Sequence, residues 1–126
     1  MSLNQGLLSI NSSNIEFNNN TIQNINFRFS PYIYFRNCSV QIFILKAENI
    51  NHRISIPSDE NTKNKLTFLL IDSSHAVEID EISIYNIKCP HCNSGIISFF
   101  NTKYELIIKN SEFIDNTSRN GILNIE

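Results

Sequence analysis

The sequence predicts an all-β chain, a right-handed parallel β-helix of about four coils. Three observations carry this expectation. The chain repeats itself, its apolar residues alternate with a period of two, and its composition favours strands and tight corners over helices. Asn and Ile dominate the 126 residues, while there are only three Gly, three Pro, one Met and no Trp. Abundant Ile and Phe with only two Ala suit strands. Asn suits corners, because it tolerates a positive φ.

The repeat emerges from comparing the chain with itself. Residues 7–25, 32–50, 69–87 and 98–116 align without gaps, at steps of 25, 37 and 29 residues. Leu8, Ile33, Leu70 and Phe99 share a column in this alignment. Ile15, Val40, Val77 and Leu106 share a second. Phe17, Ile42, Ile79 and Ile108 share a third, and Ile22, Ala47, Ile84 and Phe113 a fourth. Asn24, Asn49, Asn86 and Asp115 form a polar column. A single coil cannot bury its apolar face alone. It must stack on a similar neighbour about 4.8 Å away, which keeps the apolar columns while outward positions drift. Four coils would rise about 20 Å.

The elements follow in order. The first coil, 7–25, alternates around Ile15 and Phe17. The second, 32–50, contains Val40-Gln-Ile-Phe-Ile44, whose inward positions again lie two apart. Residues 57–65 are polar and explain the long second step as a surface loop inserted into one coil. The third coil, 69–87, carries Val77-Glu-Ile-Asp80. The fourth, 98–116, is followed at 121–126 by a partial fifth, where Gly121-Ile-Leu-Asn-Ile125 echoes Gly95-Ile-Ile-Ser-Phe99. In-register stacking places Asp80 beside Lys109. A solenoid also needs caps. No amphipathic helix precedes Leu7, so the expectation is a stretch of a longer β-helix, or a subunit whose ends are covered by partners.

The fourth copy reads Asn110-Ser-Glu-Phe113-Ile-Asp-Asn116-Thr-Ser-Arg-Asn-Gly121-Ile-Leu. It resembles the Phe-x-x-Asn and Gly-Gly-Ala-Ile repeat of polymorphic outer membrane proteins, with Phe113 and Asn116 matching the first half. Gly121 and Ile122 match the second half, where Asn120 replaces the first Gly. These repeats belong to the pectin-lyase-like β-helix superfamily, and similar Asn-rich repeats occur in large ciliate surface proteins. The resemblance covers the whole chain in pattern and about fifteen residues in motif. It implies the fold, and an architecture that hosts lyases, hydrolases and adhesins alike.

Charge narrows the partners. A net charge of −2 and a pI near 5.9, with scattered Lys and Arg, give no reason to expect nucleic acid. No run of eighteen apolar residues predicts a transmembrane segment. Met1 to Gly6 lack the pattern of a signal peptide, so export would require a longer protein.

Candidate chemistry concentrates at Cys89-Pro-His-Cys92. Two thiols at this spacing can grip a metal or close a disulfide. Zinc needs more ligands, which Cys38, His52 and His75 could supply if the fold brings them near, and Cys38 and His75 share a repeat column. Simple buried thiols are the third reading. Phe43 and Leu45 interrupt the alternation around Ile42 and Ile44, giving either a partner-facing patch or a strand covered by the loop. Ile33-Tyr-Phe35 and Phe68-Leu-Leu-Ile71 raise the same question. Asp72, Asp80 and Asp115 fall in different columns, and Gln41 separates Glu16 from Glu78. They read as solvated charges and not as an acid and base pair. Asn11, Asn19, Asn37 and Asn116 begin Asn-x-Ser/Thr triplets, which accept glycans only in a secretory compartment.

The functional expectation is a non-enzymatic module of a surface or extracellular protein, a scaffold, adhesion or glycan- or protein-binding element that needs no cofactor. A carbohydrate-active enzyme related to pectin lyases and a small subunit of a large assembly are the alternatives.

Overall fold

The computed structural model describes residues 8–57, 66–102 and 105–126, and for 27–29 and 53–57 the backbone alone. The expected loop at 57–65 therefore lies outside the described residues except for Pro57. The fold is all-β and built from parallel strands. One sheet contains β1 (Leu8–Asn11), β3 (Ile33–Arg36), β5 (Leu69–Asp72), β7 (Ile97–Phe100) and β11 (Leu123–Ile125), in that order. The other contains the long strands β2 (Asn14–Ser30), β4 (Ser39–Pro57) and β6 (Val77–Cys89). Its last position is shared by three short strands, β8 (Leu106–Lys109), β9 (Glu112–Ile114) and β10 (Thr117–Ser118), all paired with β6. The chain visits the two sheets in alternation, so the link between parallel neighbours in one sheet is a strand of the other.

Left-handed corners organise this path. Among the described residues, twelve that are not glycine have φ between 52° and 61°. The register sorts them into three columns of four. Ser12, Asn37, Ser73 and Asn101 close the strands of the first sheet. Asn19, Ile44, Glu81 and Asn110 bend the long strands once, and Asn24, Asn49, Asn86 and Asp115 bend them again. In the last column the amides form a ladder. Asn49 Nδ2 donates to Asn24 Oδ1 at 3.2 Å, and Asn86 Nδ2 donates to Asn49 Oδ1 at 2.9 Å.

Each corner also shifts the phase of alternation. Val40 and Ile42 point inward, then Leu45 and Ala47, then Ile50 and His52, all buried. The inward step is two within a straight segment and three across a corner. β6 follows the same rule with Val77, Ile79, Ile82, Ile84, Ile87 and Cys89. Leu45 is thus a core residue, 1% exposed, because the left-handed Ile44 turns it inward, whereas Phe43 faces out at 47% exposure.

The core fills the space between the sheets. Phe17 of β2 meets Phe35 of β3 edge-on at 5.5 Å, and Tyr32 stacks on Phe68 at the same distance. Tyr34, Leu70 and Ser98 point to the other face of the first sheet and are buried too. Its apolar runs are therefore covered within this chain.

The long-strand register matches the sequence columns from Ile15, Phe17 and Ile22 onward. So does the echo of Gly95 in Gly121, because Leu123, Asn124 and Ile125 pair with Ile97, Ser98 and Phe99. The first column needs correction. Leu8 and Ile33 are followed by Leu69 and Ile97, and not by Leu70 and Phe99. Between Ser73 and Val77 the chain has one residue more than between Asn37 and Val40. A gapless alignment absorbs that residue in the wrong place.

Candidate functional site

His52 and Cys89 face each other because the register makes them neighbours. Asn51 pairs with Lys88, so the next inward positions of β4 and β6 are His52 and Cys89. Cys89 pairs in turn with Ser118 of β10. β6 ends at Cys89, and a tight turn through Pro90 and His91 returns Cys92 to the same place. The Cys92 amide donates to the Cys89 carbonyl at 3.0 Å, and the two Cα atoms are 5.3 Å apart. Pro90 and His91 are exposed at the tip of the turn.

The result is a compact cluster. The Nδ1 atom of His52 lies 2.9 Å from Cys89 Sγ and 3.8 Å from Cys92 Sγ. All three side chains are fully buried. Cys89 and Cys92 are joined as a disulfide. Among the described residues this is the one group of three His, Cys, Asp or Glu side chains whose ligand atoms converge, all within 4.8 Å. The neighbouring backbone holds the turn in place. Arg119 N donates to Cys92 O at 3.1 Å, Asn120 Nδ2 to Asn93 O at 2.7 Å, and Leu66 N to Asn93 Oδ1 at 2.9 Å.

Comparison with known protein families, curated proteins and solved structures finds no match. The site must therefore be read from its own chemistry.

Cys38 and His75 stand elsewhere. Their backbones touch, with His75 N donating to Cys38 O at 3.1 Å. Their side chains differ in exposure, Cys38 being buried and His75 exposed. The Cys38 thiol donates to Arg36 O at 3.1 Å. Neither residue belongs to the converging group. The third member is His52, one of the three residues the sequence offered to complete the set, and the one outside the column shared by Cys38 and His75. The repeat windows stopped at Ile50 and Ile87. Continuing the same step by two residues pairs His52 with Cys89.

The acidic residues also find their places. Asp80 lies beside Lys109 in the register, with their charged atoms 3.7 Å apart, and Lys109 reaches Glu78 at 3.6 Å. Gln41 sits between Glu16 and Glu78. Asp72 departs from the expectation of a solvated charge. It is 7% exposed, accepts from Ser73 Oγ at 2.9 Å and lies 3.4 Å from the Tyr34 hydroxyl. Its place on the covered face of the first sheet explains that burial. Asn11, Asn19 and Asn37 are exposed. Asn116 is half-buried, its Nδ2 donating to Ile84 O and its Oδ1 accepting from Ile87 N.

Proposed function

We propose that this chain is a stretch of right-handed parallel β-helix, of the pectin-lyase-like kind, serving as a non-enzymatic scaffold or recognition module of a surface or extracellular protein. The observation that carries this reading is the set of three left-handed corner columns, each running through four successive repeats in parallel register. Such a stack is modular, because each repeat gains its stability from its neighbours. Its outward residues are free to vary and to meet a glycan or a protein. The exposed ring of Phe43, between Asn18 and Asp80 in the register, is one such contact point. The disulfide at Cys89 and Cys92 supports an oxidising, extracellular setting. Leu123 and Ile125 on β11 are 39% and 62% exposed, which favours a further stacked coil or a partner subunit covering them.

Duplicating one repeat tests this directly. A second copy of residues 73–100, carrying Cys89→Ser and Cys92→Ser, is inserted after Phe100. A solenoid accepts the copy, stays cooperative and gains resistance to denaturant. Loss of cooperative unfolding would exclude the solenoid. The same protein is expected to release no unsaturated or reducing ends from pectin, polygalacturonate or alginate. Release abolished by Asp72→Asn or Asp80→Asn would replace the scaffold with a carbohydrate-active enzyme.

A further inference from the structure

We propose that, with its sulfurs reduced, the His52, Cys89 and Cys92 cluster is a buried site for one thiophilic closed-shell cation of the zinc(II) or copper(I) type. The disulfide and the metal complex are then alternative states of one site.

The donor set selects the cation. Two thiolates and an imidazole suit soft or borderline metals and not calcium or magnesium. The geometry is close to what such a cation needs. Metal–sulfur bonds near 2.3 Å and metal–nitrogen bonds near 2.0–2.1 Å place a sulfur and a nitrogen ligand about 3.5 Å apart. The observed Nδ1 to Sγ distances of 2.9 and 3.8 Å bracket that value. Only the two sulfurs must part, which rotation of their side chains allows once their bond is broken.

Burial makes the cation matter more. Two thiolates with no counter-charge would be costly in this interior, whereas a divalent cation with a neutral imidazole leaves no net charge. A monovalent cation leaves one negative charge but is content with three ligands. The inward imidazole also fits a metal better than a disulfide, whose sulfurs are weak acceptors. The turn at Pro90 and His91, between the two sulfurs in the chain, is exposed.

The conversion balances. A dithiol reductant gives two electrons and two protons to the Cys89–Cys92 bond. Its own sulfurs join as that bond breaks, leaving two protein thiols. The cation then displaces the two thiol protons to solvent and accepts the imidazole nitrogen lone pair.

Metal competition on the full chain tests the proposal. The protein is reduced with a dithiol, freed of reductant under anaerobic conditions, and titrated with zinc(II) or copper(I) against a chromophoric chelator. One equivalent should bind to the reduced chain and none to the oxidised chain. His52→Gln should weaken binding at least about tenfold, while Cys38→Ser, His75→Gln and His91→Gln leave it unchanged. If His52→Gln does not fold, cadmium-113 bound to nitrogen-15-labelled native protein replaces it, with coupling to His52 Nδ1 as the readout. Failure of the reduced chain to bind either cation, equal binding by the oxidised chain, or undiminished binding by His52→Gln overturns the proposal. These results are independent of the repeat duplication, so the scaffold reading can stand or fall separately.

Discussion

Ile44 is the residue most at odds with its backbone. A β-branched side chain at φ 60° is strained, and the left-handed region costs an ordinary residue about 1–2 kcal/mol. Asn19 and Asn110 fill the same column with the residue type that tolerates it. Ile44→Asn is therefore expected to stabilise the chain by about 0.5–1 kcal/mol, read as a higher denaturant midpoint at unchanged slope. Ile79 is the opposite case. It is fully buried between Ile42 and Ile108, and Ile79→Ala should cost about 2–5 kcal/mol. Equal midpoints for that variant and the native chain would contradict the inward column. Tyr32 adds a pH dependence. Burial against Phe68 raises its phenol above the ordinary tyrosine value, so the unfolded chain loses the proton first. The stabilisation is complete below pH 10 and falls as pH rises toward the native value. Tyr32→Phe should flatten the decline in melting temperature above pH 10. An unchanged alkaline slope would remove Tyr32 from the account.

The strands show how little tolerance the stack has along its axis. Gly95 and Gly121 occupy equivalent positions at φ 75° and 91°, yet they differ in surroundings. A Cβ on Gly95 would lie 2.8 Å from the Ile122 carbonyl oxygen, whereas one on Gly121 would meet nothing within 4 Å. Gly95→Ala combines backbone strain with a clash against the segment that leads into β11. It should destabilise more than Gly121→Ala, whose cost is the strain alone, about 1–2 kcal/mol. Unfolding curves of the two variants decide this, and equal losses would show that the close approach is relaxed. The Asp80 and Lys109 pair is a weaker element. Lys109 is half exposed, so the pair should contribute about 0–1 kcal/mol, although its position depends on the register.

Across the whole molecule, stability should grade from the middle of the stack outward. β6 has parallel partners on both sides, whereas β11 pairs only with β7 among the described residues and carries the exposed Leu123 and Ile125. Amides of 123–125 are expected to exchange with solvent at least about tenfold faster than those of 77–79 in the isolated chain. Equal protection would mean that another molecule or segment covers β11. Much of this architecture was already legible in the residues. The apolar columns through Ile42 and Ile79, the Asn24, Asn49 and Asn86 corners and the pairing of Asp80 with Lys109 all follow from like residues stacking on like at one strand spacing. Three features were decided only in three dimensions. The extra residue before Val77 shifts the first sheet against the second, because a corner can absorb a residue that no apolar period marks. Leu45 turns inward because the left-handed backbone at Ile44 advances the alternation by one place. The choice of His52 over Cys38 and His75 falls to the folded chain, where it is the His52 ring that converges on Cys89, 37 positions away, and Cys92.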